Sequence, residues 1–256
     1  MKRIFGLFVL MGVLMIPSVG FAAGDQLGIY VAPKFVYGLT QIESIKEYWT
    51  NGADQGVQGH GSKTDNAFGG SLAIGYDFGK KFSVPIRTEL EYAIFSGFEG
   101  KNTLTYVHGG TSKTEWEVFK QKFQLQTLFF NAYWDINTGT KLTPYVGAGI
   151  GMAFINSKWT ASGYTVTAAP DPWSERSGSK MNANFAWNIG AGLGYDITDN
   201  WTIDVGYRFV GLGSVKTGSY GVPIDTAGRQ DEIANTHLKT KNLYQHQFAL
   251  GVRFTF

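Results

Sequence analysis

The stretch Asn242-Leu243-Tyr244-Gln245-His246-Gln247-Phe248-Ala249-Leu250-Gly251-Val252-Arg253-Phe254-Thr255-Phe256, at the carboxyl end of the chain, alternates apolar and polar residues. His246, Phe248, Leu250, Val252, Phe254 and Phe256 share one face, and Gln245, Gln247, Ala249, Gly251, Arg253 and Thr255 share the other. Successive side chains of a β-strand point to opposite sides, so the pattern predicts a strand with hydrocarbon on one side and a polar compartment on the other. A strand that ends on an aromatic residue frays unless neighbours hold both of its edges, which points to a closed sheet.

The amino end is consistent with export. Lys2 and Arg3 precede the apolar run Ile4 to Ile16, followed by Pro17 and a small-x-small site at Gly20-Phe21-Ala22. That order predicts a secretory signal peptide over residues 1–22 and a mature domain over 23–256; the run is short for a helical membrane span. The chain has 22 Lys and Arg against 20 Asp and Glu. Lys2 and Arg3 belong to the leader, so the remainder is formally neutral, which argues against a basic nucleic-acid surface. No cysteine is present, so disulfides and thiolate metal sites are excluded.

Beyond residue 22 no apolar run is long enough for a helix to cross a bilayer. A crossing would need strands, and strands satisfy their amides in hydrocarbon only when the sheet closes. Eight alternating segments can be found: Leu27–Tyr37, Phe68–Phe78, Val84–Ser96, Lys122–Ile136, Val146–Phe154, Asn184–Asp196, Trp201–Phe209 and the carboxyl-terminal stretch. Pro33 interrupts the first, at a position suited to a bulge or strand end. The fourth has a mixed phase: Leu128, Phe130, Ala132 and Trp134 face lipid, yet the same phase holds Gln124 and Gln126. Projection of this strand beyond the bilayer is preferred over a bulge that switches its faces.

Connections around Gly79–Lys81, Asn137–Thr140 and Thr198–Asn200 are short, and those around 38–66, 97–119, 157–182 and 214–241 are long. Strict alternation of short and long is the signature of an up-and-down outer-membrane barrel with periplasmic turns at one rim and extracellular loops at the other. Aromatic residues cluster near the segment ends, where rings favour the headgroup layers: Tyr76, Phe78, Trp134, Tyr195, Trp201, Phe254 and Phe256 at the turn side, and Phe68, Phe154, Phe185, Trp187 and Phe209 at the loop side. The expected fold is all-β, an eight-stranded antiparallel transmembrane barrel.

The hairpin Asn131-Ala132-Tyr133-Trp134-Asp135-Ile136 with Leu142-Thr143-Pro144-Tyr145-Val146-Gly147-Ala148-Gly149-Ile150-Gly151 resembles that of opacity-type, porin-like surface antigens of Gram-negative bacteria. Gly206-Tyr207-Arg208-Phe209 and the final aromatic strand resemble the same group, while the long loops have no match. The resemblance implies insertion by the barrel assembly machinery, with Phe254 and Phe256 in its recognition signal. It also implies loops that bind host or environmental receptors in the manner of an adhesin.

The inner face carries Arg87, Glu89 and Glu91 on the third segment, Asp204 and Arg208 on the seventh, and Arg253 on the eighth. Three charges of each sign suit a plug of ion pairs better than an ion path, which would favour one sign. The alternating glycines of segments five and six are expected to leave room for the arginines. Glu89 and Glu91 have a spacing some glycosidases use, but their arginine neighbours favour pairing over catalysis. His60, His108, His237 and His246 lack metal-ligand spacing, so neither a catalytic nor a metal or cofactor site is expected. In the loops, Lys113, Trp116, Lys120, Trp173 and Arg176 are candidate contacts to glycans, proteins or lipopolysaccharide phosphates.

The expected function is therefore a non-enzymatic outer-membrane protein, structural and surface-displaying, with loops for adhesion or recognition. The alternative is a small porin or transporter passing small solutes or apolar molecules across the outer membrane. Expected partners are outer-membrane lipid and lipopolysaccharide, the assembly machinery and a surface receptor, with no nucleic acid.

Overall fold

The computed structural model describes residues 27–51, 54–59, 62–107, 114–165, 174–216, 220–226 and 229–256. Eleven strands and one short helix follow in chain order: β1 Ile29–Asn51, β2 Asp54–Gly59, β3 Lys63–Asp77, α1 Phe78–Phe82, β4 Ile86–Phe95, β5 Phe98–Val107, β6 Thr114–Asp135, β7 Leu142–Thr165, β8 Ser174–Asp196, β9 Trp201–Gly213, β10 Tyr220–Thr226 and β11 Arg229–Thr255. Strands β1, β3, β4, β6, β7, β8, β9 and β11 pair in that order, all antiparallel, and β11 returns to β1. Closure runs from Tyr30↔Thr255 to Thr50↔Asn235, so the carboxyl-terminal strand is held on both edges, by β1 and by β9. The eight-stranded barrel expected from the alternating segments is the one formed.

Three tight turns sit at one end. The first is helical: the Asp77 side chain accepts from Gly79 N at 2.8 Å and Ser83 takes the left-handed conformation with φ 56°. Strand β3 thus ends at Asp77, and Phe78 packs in α1 against Phe82 and Tyr76. At the second turn Asn137 Oδ1 accepts from Gly139 N, and at the third Thr198 Oγ1 accepts from Asn200 N and Trp201 N. These local bonds fix the turn backbone without help from the barrel.

At the opposite end the strands continue far beyond the wall. A strand of about 9–11 residues crosses a bilayer, whereas β1, β6, β7, β8 and β11 are 23, 22, 24, 23 and 27 residues long. The connections anticipated as loops are therefore largely hairpin: β2 lies on β1, β5 on β6, and β10 on β11. Pro33 pairs across to Leu72 of β3, while the β1–β11 ladder omits Ala32 and Pro33, as the missing proline N–H requires.

The outer wall is apolar. Phe35, Ile74, Leu90, Phe130, Ile150, Phe185, Ile189, Val205 and Leu250 are among its exposed residues, with Ile150 60% and Phe185 63% accessible. A contiguous band of that kind is foreign to a water-exposed surface and suits lipid.

Register settles the mixed phase of the fourth segment. The β6–β7 ladder is continuous from Glu115↔Thr165 to Asp135↔Tyr145, so no bulge switches its faces and the strand projects. Gln126 faces out, where it accepts from Tyr92 Oη at 2.8 Å, and Phe123, Leu125, Thr127 and Phe129 face in, all buried.

Candidate functional site

The lumen is filled in two tiers. The inward charges lie near the tight turns, and the large inward apolar residues lie nearer the hairpins, interspersed with small polar ones such as Thr40, Thr127 and Ser157. Glu91 precedes Phe95 on β4, Tyr145 precedes Ile155 on β7, and Arg208 precedes Leu212 on β9; Asn131 follows Leu125 on β6, and Gln247 follows Leu243 on β11. The hairpin-side tier is one packed apolar cluster that includes Val36, Ile42, Phe95, Phe123, Leu125, Phe129, Ile155, Val210, Leu212 and Leu243. The expectation of a hydrophilic interior thus holds for the turn-side half and fails for the other. The reason is physical where the outside of the wall meets water, as beside Phe123 and Leu125: the apolar side chains turn inward and form a core, which Val36 and Phe129 extend down to the level of the lipid-facing Phe35 and Phe130.

The turn-side tier contains all six charges expected there, and two more complete it. Lys34 Nζ bridges Glu89 Oε1 at 2.6 Å and Glu91 Oε2 at 2.7 Å. Arg208 Nη2 holds the other Glu91 oxygen at 2.5 Å, Arg87 Nε holds Asp135 Oδ2 at 2.6 Å, and Arg253 Nε lies 3.4 Å from Asp204 Oδ2. The network has four charges of each sign, so adding Lys34 and Asp135 preserves neutrality. Both residues lie on the inward phase of their strands and could have been read from it; Lys34 is obscured by the neighbouring Pro33, and Asp135 by its place at a strand end.

Neutral groups complete the coordination. Tyr133 Oη donates to Glu89 Oε1 at 2.7 Å and Asn131 Nδ2 donates to the same atom at 3.2 Å. Asn188 Nδ2 donates in turn to Asn131 Oδ1 at 2.9 Å. A second line leaves the tier upward: Arg208 Nε donates to Gln247 Oε1, Gln247 Nε2 to Gln245 Oε1, and Gln245 Nε2 to Thr40 Oγ1. Glu89 and Glu91 are thus saturated by cations and donors, in keeping with pairing and against a free acid–base couple.

The glycines make room chiefly for rings and amides, and less for arginines than their alternation suggests. A Cβ at Gly147 would stand 2.3 Å from the Tyr133 ring, and one at Gly192 would stand 2.3 Å from the Tyr145 ring. Those two rings flank Arg87, whose Cζ lies 5.2 Å and 4.9 Å from their centroids. Gly190 is the position that borders an arginine closely, with Arg208 Cβ 2.7 Å from its missing side chain.

One cavity, of about 50 Å³, is lined by Lys34, Arg87, Tyr145, Asp204, Gly251 and Arg253 among others. It has room for a few water molecules at about 10–15 Å³ each.

Outside the lumen, the Phe254 ring lies tilted 4.7 Å from Trp201 and meets Phe256 edge-on at 4.9 Å at the turn-side rim. His246 faces outward, its Nδ1 2.8 Å from Tyr207 Oη, within an aromatic belt with Phe209. Of the loop candidates, Lys120 is exposed on β6 opposite Thr160. Trp116 and Arg176 lie on the projecting parts of β6 and β8, opposite Tyr164 and Ala161. Lys113 and Trp173, like His60 and His108, lie outside the described residues.

The chain is similar to known proteins. The family model for the outer membrane protein beta-barrel domain matches residues 7–256. The chain is 29% identical to the outer membrane protein PagN of Salmonella typhimurium over 239 residues, 91% of this chain and 92% of that protein. It is 24% identical over 237 residues to the opacity protein opA67 of Neisseria gonorrhoeae, covering 85% of each. Among solved structures, Neisserial surface protein A matches with a TM-score of 0.46 at 17% identity, covering 91% of this chain and 100% of that one. An eight-stranded wall with lipid-facing apolar residues, a lumen lined by ion pairs and a family match over nearly the whole chain lead to one assignment: this protein belongs to the outer membrane protein β-barrel domain family.

Proposed function

We propose that this protein is a non-enzymatic surface protein of the outer membrane, a rigid barrel that displays long hairpins for adhesion or recognition. The observation that carries this reading is the two-tier lumen: a neutral ionic tier below and a packed apolar cluster above occupy the described interior, which supports a barrel that does not conduct. What reaches furthest from the bilayer is the hairpin end, built on β1, β6, β7, β8 and β11. Residues 1–22 serve as a cleaved export signal in this reading. The barrel assembly machinery, outer-membrane lipid and a receptor at the hairpins are the partners.

Two measurements test it. Purified protein refolded into planar bilayers should show no steady nanosiemens-scale openings, because water cannot thread the packed tier around Phe123, Phe129 and Leu212. Steady openings of that size would refute the sealed lumen and favour a transport role. Cells expressing the protein should adhere to a host-cell or glycan-coated surface more than cells expressing a variant with its four hairpins cut back to the wall. Equal adherence on every surface tried would leave only a structural role in the envelope.

A further inference from the structure

Above the wall the closed sheet divides. The β6–β7 ladder runs on to Glu115↔Thr165 and the β11–β1 ladder to Thr50↔Asn235, but β3 and β4 part after Gly69↔Phe95, and β8 and β9 after Trp187↔Gly211. Among the described strands this leaves two four-stranded sheets, β10–β11–β1–β2 and β5–β6–β7–β8. Their outermost strands have a ladder on one side: β10 on β11, β2 on β1, β5 on β6 and the upper half of β8 on β7.

An open edge offers backbone N–H and C=O groups to any extended chain, and proteins blunt such edges with proline, bulges, charge or shortness. Three of the four are blunted. β10 has Pro223 at its middle and a register shift between Ile224 and Thr226. β2 is six residues long, and Gly56 and Gly59 are two of them. β8 opens with Ser174-Glu175-Arg176-Ser177-Gly178, and lower down its Asn184 Nδ2 donates to Leu212 O and Ser214 O, which stitches that seam shut. The upper part of β3 is capped as well, with Asn66 N on Asp65 Oδ1 at 2.8 Å and Phe68 N on Ser96 Oγ at 2.9 Å.

Strand β5 differs. Its ten residues contain no proline and pair with β6 without a register shift, from Phe98↔Phe123 to Val107↔Thr114. Its charges, Glu99 and Lys101, lie in the half nearer the wall, and Thr103, Leu104, Thr105, Tyr106 and Val107 follow uncharged, all but one β-branched or aromatic. The chemistry of this edge identifies its occupant. Donors and acceptors recur along it every second residue, about 6.8 Å, which an extended polypeptide matches and a glycan or a lipid headgroup does not. A second copy upright in the same leaflet is related by an axis along the membrane normal, which sets β5 parallel to β5, the weaker pairing. A free segment can approach antiparallel.

We propose that the open edge of β5, over residues 103–107, binds an extended segment of a receptor protein by adding it to the sheet as an antiparallel strand. The proposal rests on the surface-display reading above and gives its receptor contact a place and a chemical class.

The test uses the mature protein in phosphatidylcholine nanodiscs. The probe is a fluorescein-labelled peptide with the sequence of residues 114–123, which β5 already pairs with on its other side. Main-chain bonds supply the affinity in strand addition, so the probe need not be the natural segment. Its binding, read by fluorescence anisotropy, should saturate. Two further peptides carry three backbone N-methyl groups each, on alternating residues: in one the methyl groups face β5 and remove three hydrogen bonds, in the other they face solvent. One should bind at least about tenfold more weakly than the unmethylated probe and the other within about twofold of it. Thr103→Lys/Thr105→Lys should weaken binding by a similar factor, and Ser177→Lys/Ser179→Lys on β8 should leave it unchanged. The methylated pair needs no change to the protein, so it decides the matter even where a variant disturbs β5. Equal binding of the two methylated peptides, no saturable binding of the probe, or clustering of protein-bearing vesicles that Thr103→Lys/Thr105→Lys abolishes, the mark of a second copy at this edge, would each overturn the proposal. None of these outcomes bears on the adhesion measurement, so the two readings fail separately.

Discussion

Glu91→Ala lowers the stability of the folded barrel by about 3–5 kcal/mol, the range for removing one partner of a buried ion pair. The carboxylate is 1% exposed and receives Lys34 on one oxygen and Arg208 on the other. Its removal leaves four cations facing three anions in a tier with little water. Lys34 retains Glu89 at 2.6 Å, but Arg208 is left hydrogen-bonded to the neutral Gln247. Urea titration of protein folded in lipid vesicles, followed by tryptophan fluorescence, measures the shift. Lys34→Met/Glu91→Gln restores charge balance and should lose less than the sum of the two single changes, by about 0.5–3 kcal/mol of coupling. Strict additivity, or a loss below about 1 kcal/mol for Glu91→Ala, would mean that the tier is hydrated and open to solvent.

The wall of this barrel was legible in the sequence because lipid outside and a filled lumen inside impose opposite demands on successive residues. The carboxyl-terminal strand shows this best: Leu250 and Phe248 face out, while Gln247 and Arg253 are buried inside. The same rule explains where legibility ends. On β6, Leu128 and Phe130 face lipid, yet Phe123 and Leu125 on the other phase are the buried ones, and the ladder between them has no irregularity. Only the surroundings change. Above the bilayer edge the outer face meets water, so the apolar phase inverts without any change of backbone. A pattern that assumes one environment along the whole strand reads that inversion as noise.

The lumen was half legible for a related reason. Inward phase identified Arg87, Glu89, Glu91, Asp204, Arg208 and Arg253, but phase does not assign partners. Lys34 reaches Glu89 and Glu91 across β3, which offers only small side chains there: Ser71 and Ala73 face inward, and Gly75 has none. Arg87 turns away from both glutamates to Asp135 on the neighbouring β6. Such choices depend on strand order and register, which follow from closure of the sheet. The hairpins were the least legible part. Lengths of 22 to 27 residues arise from backbone pairing above the membrane, where neither lipid nor a turn signal marks the sequence.

Phe254→Ala/Phe256→Ala should leave folding in vitro largely intact and sharply reduce the amount of protein in the outer membrane of cells. The closure of the barrel at this rim is made by the backbone: Leu27 N donates to Phe256 O, Phe256 N to Ile29 O and Thr255 N to Asn200 O. Those bonds survive loss of the rings. The rings themselves are half-buried, and Phe254 contacts Trp201 and Phe256. Truncating both removes about 2–4 kcal/mol of packing, less in lipid, where outward faces are not driven from water. A stability loss of that kind changes cellular abundance several-fold, whereas loss of an assembly signal should reduce it by about an order of magnitude or more. Leu250→Ala/Val252→Ala on the same outward face separates the two causes, since Leu250 is a mid-wall lipid contact, 56% exposed. Quantitative blotting of outer-membrane fractions, beside refolding yields in vesicles, gives the comparison. If both double variants fall equally in cells, the terminal rings act only as part of the wall, and the assembly machinery reads something else.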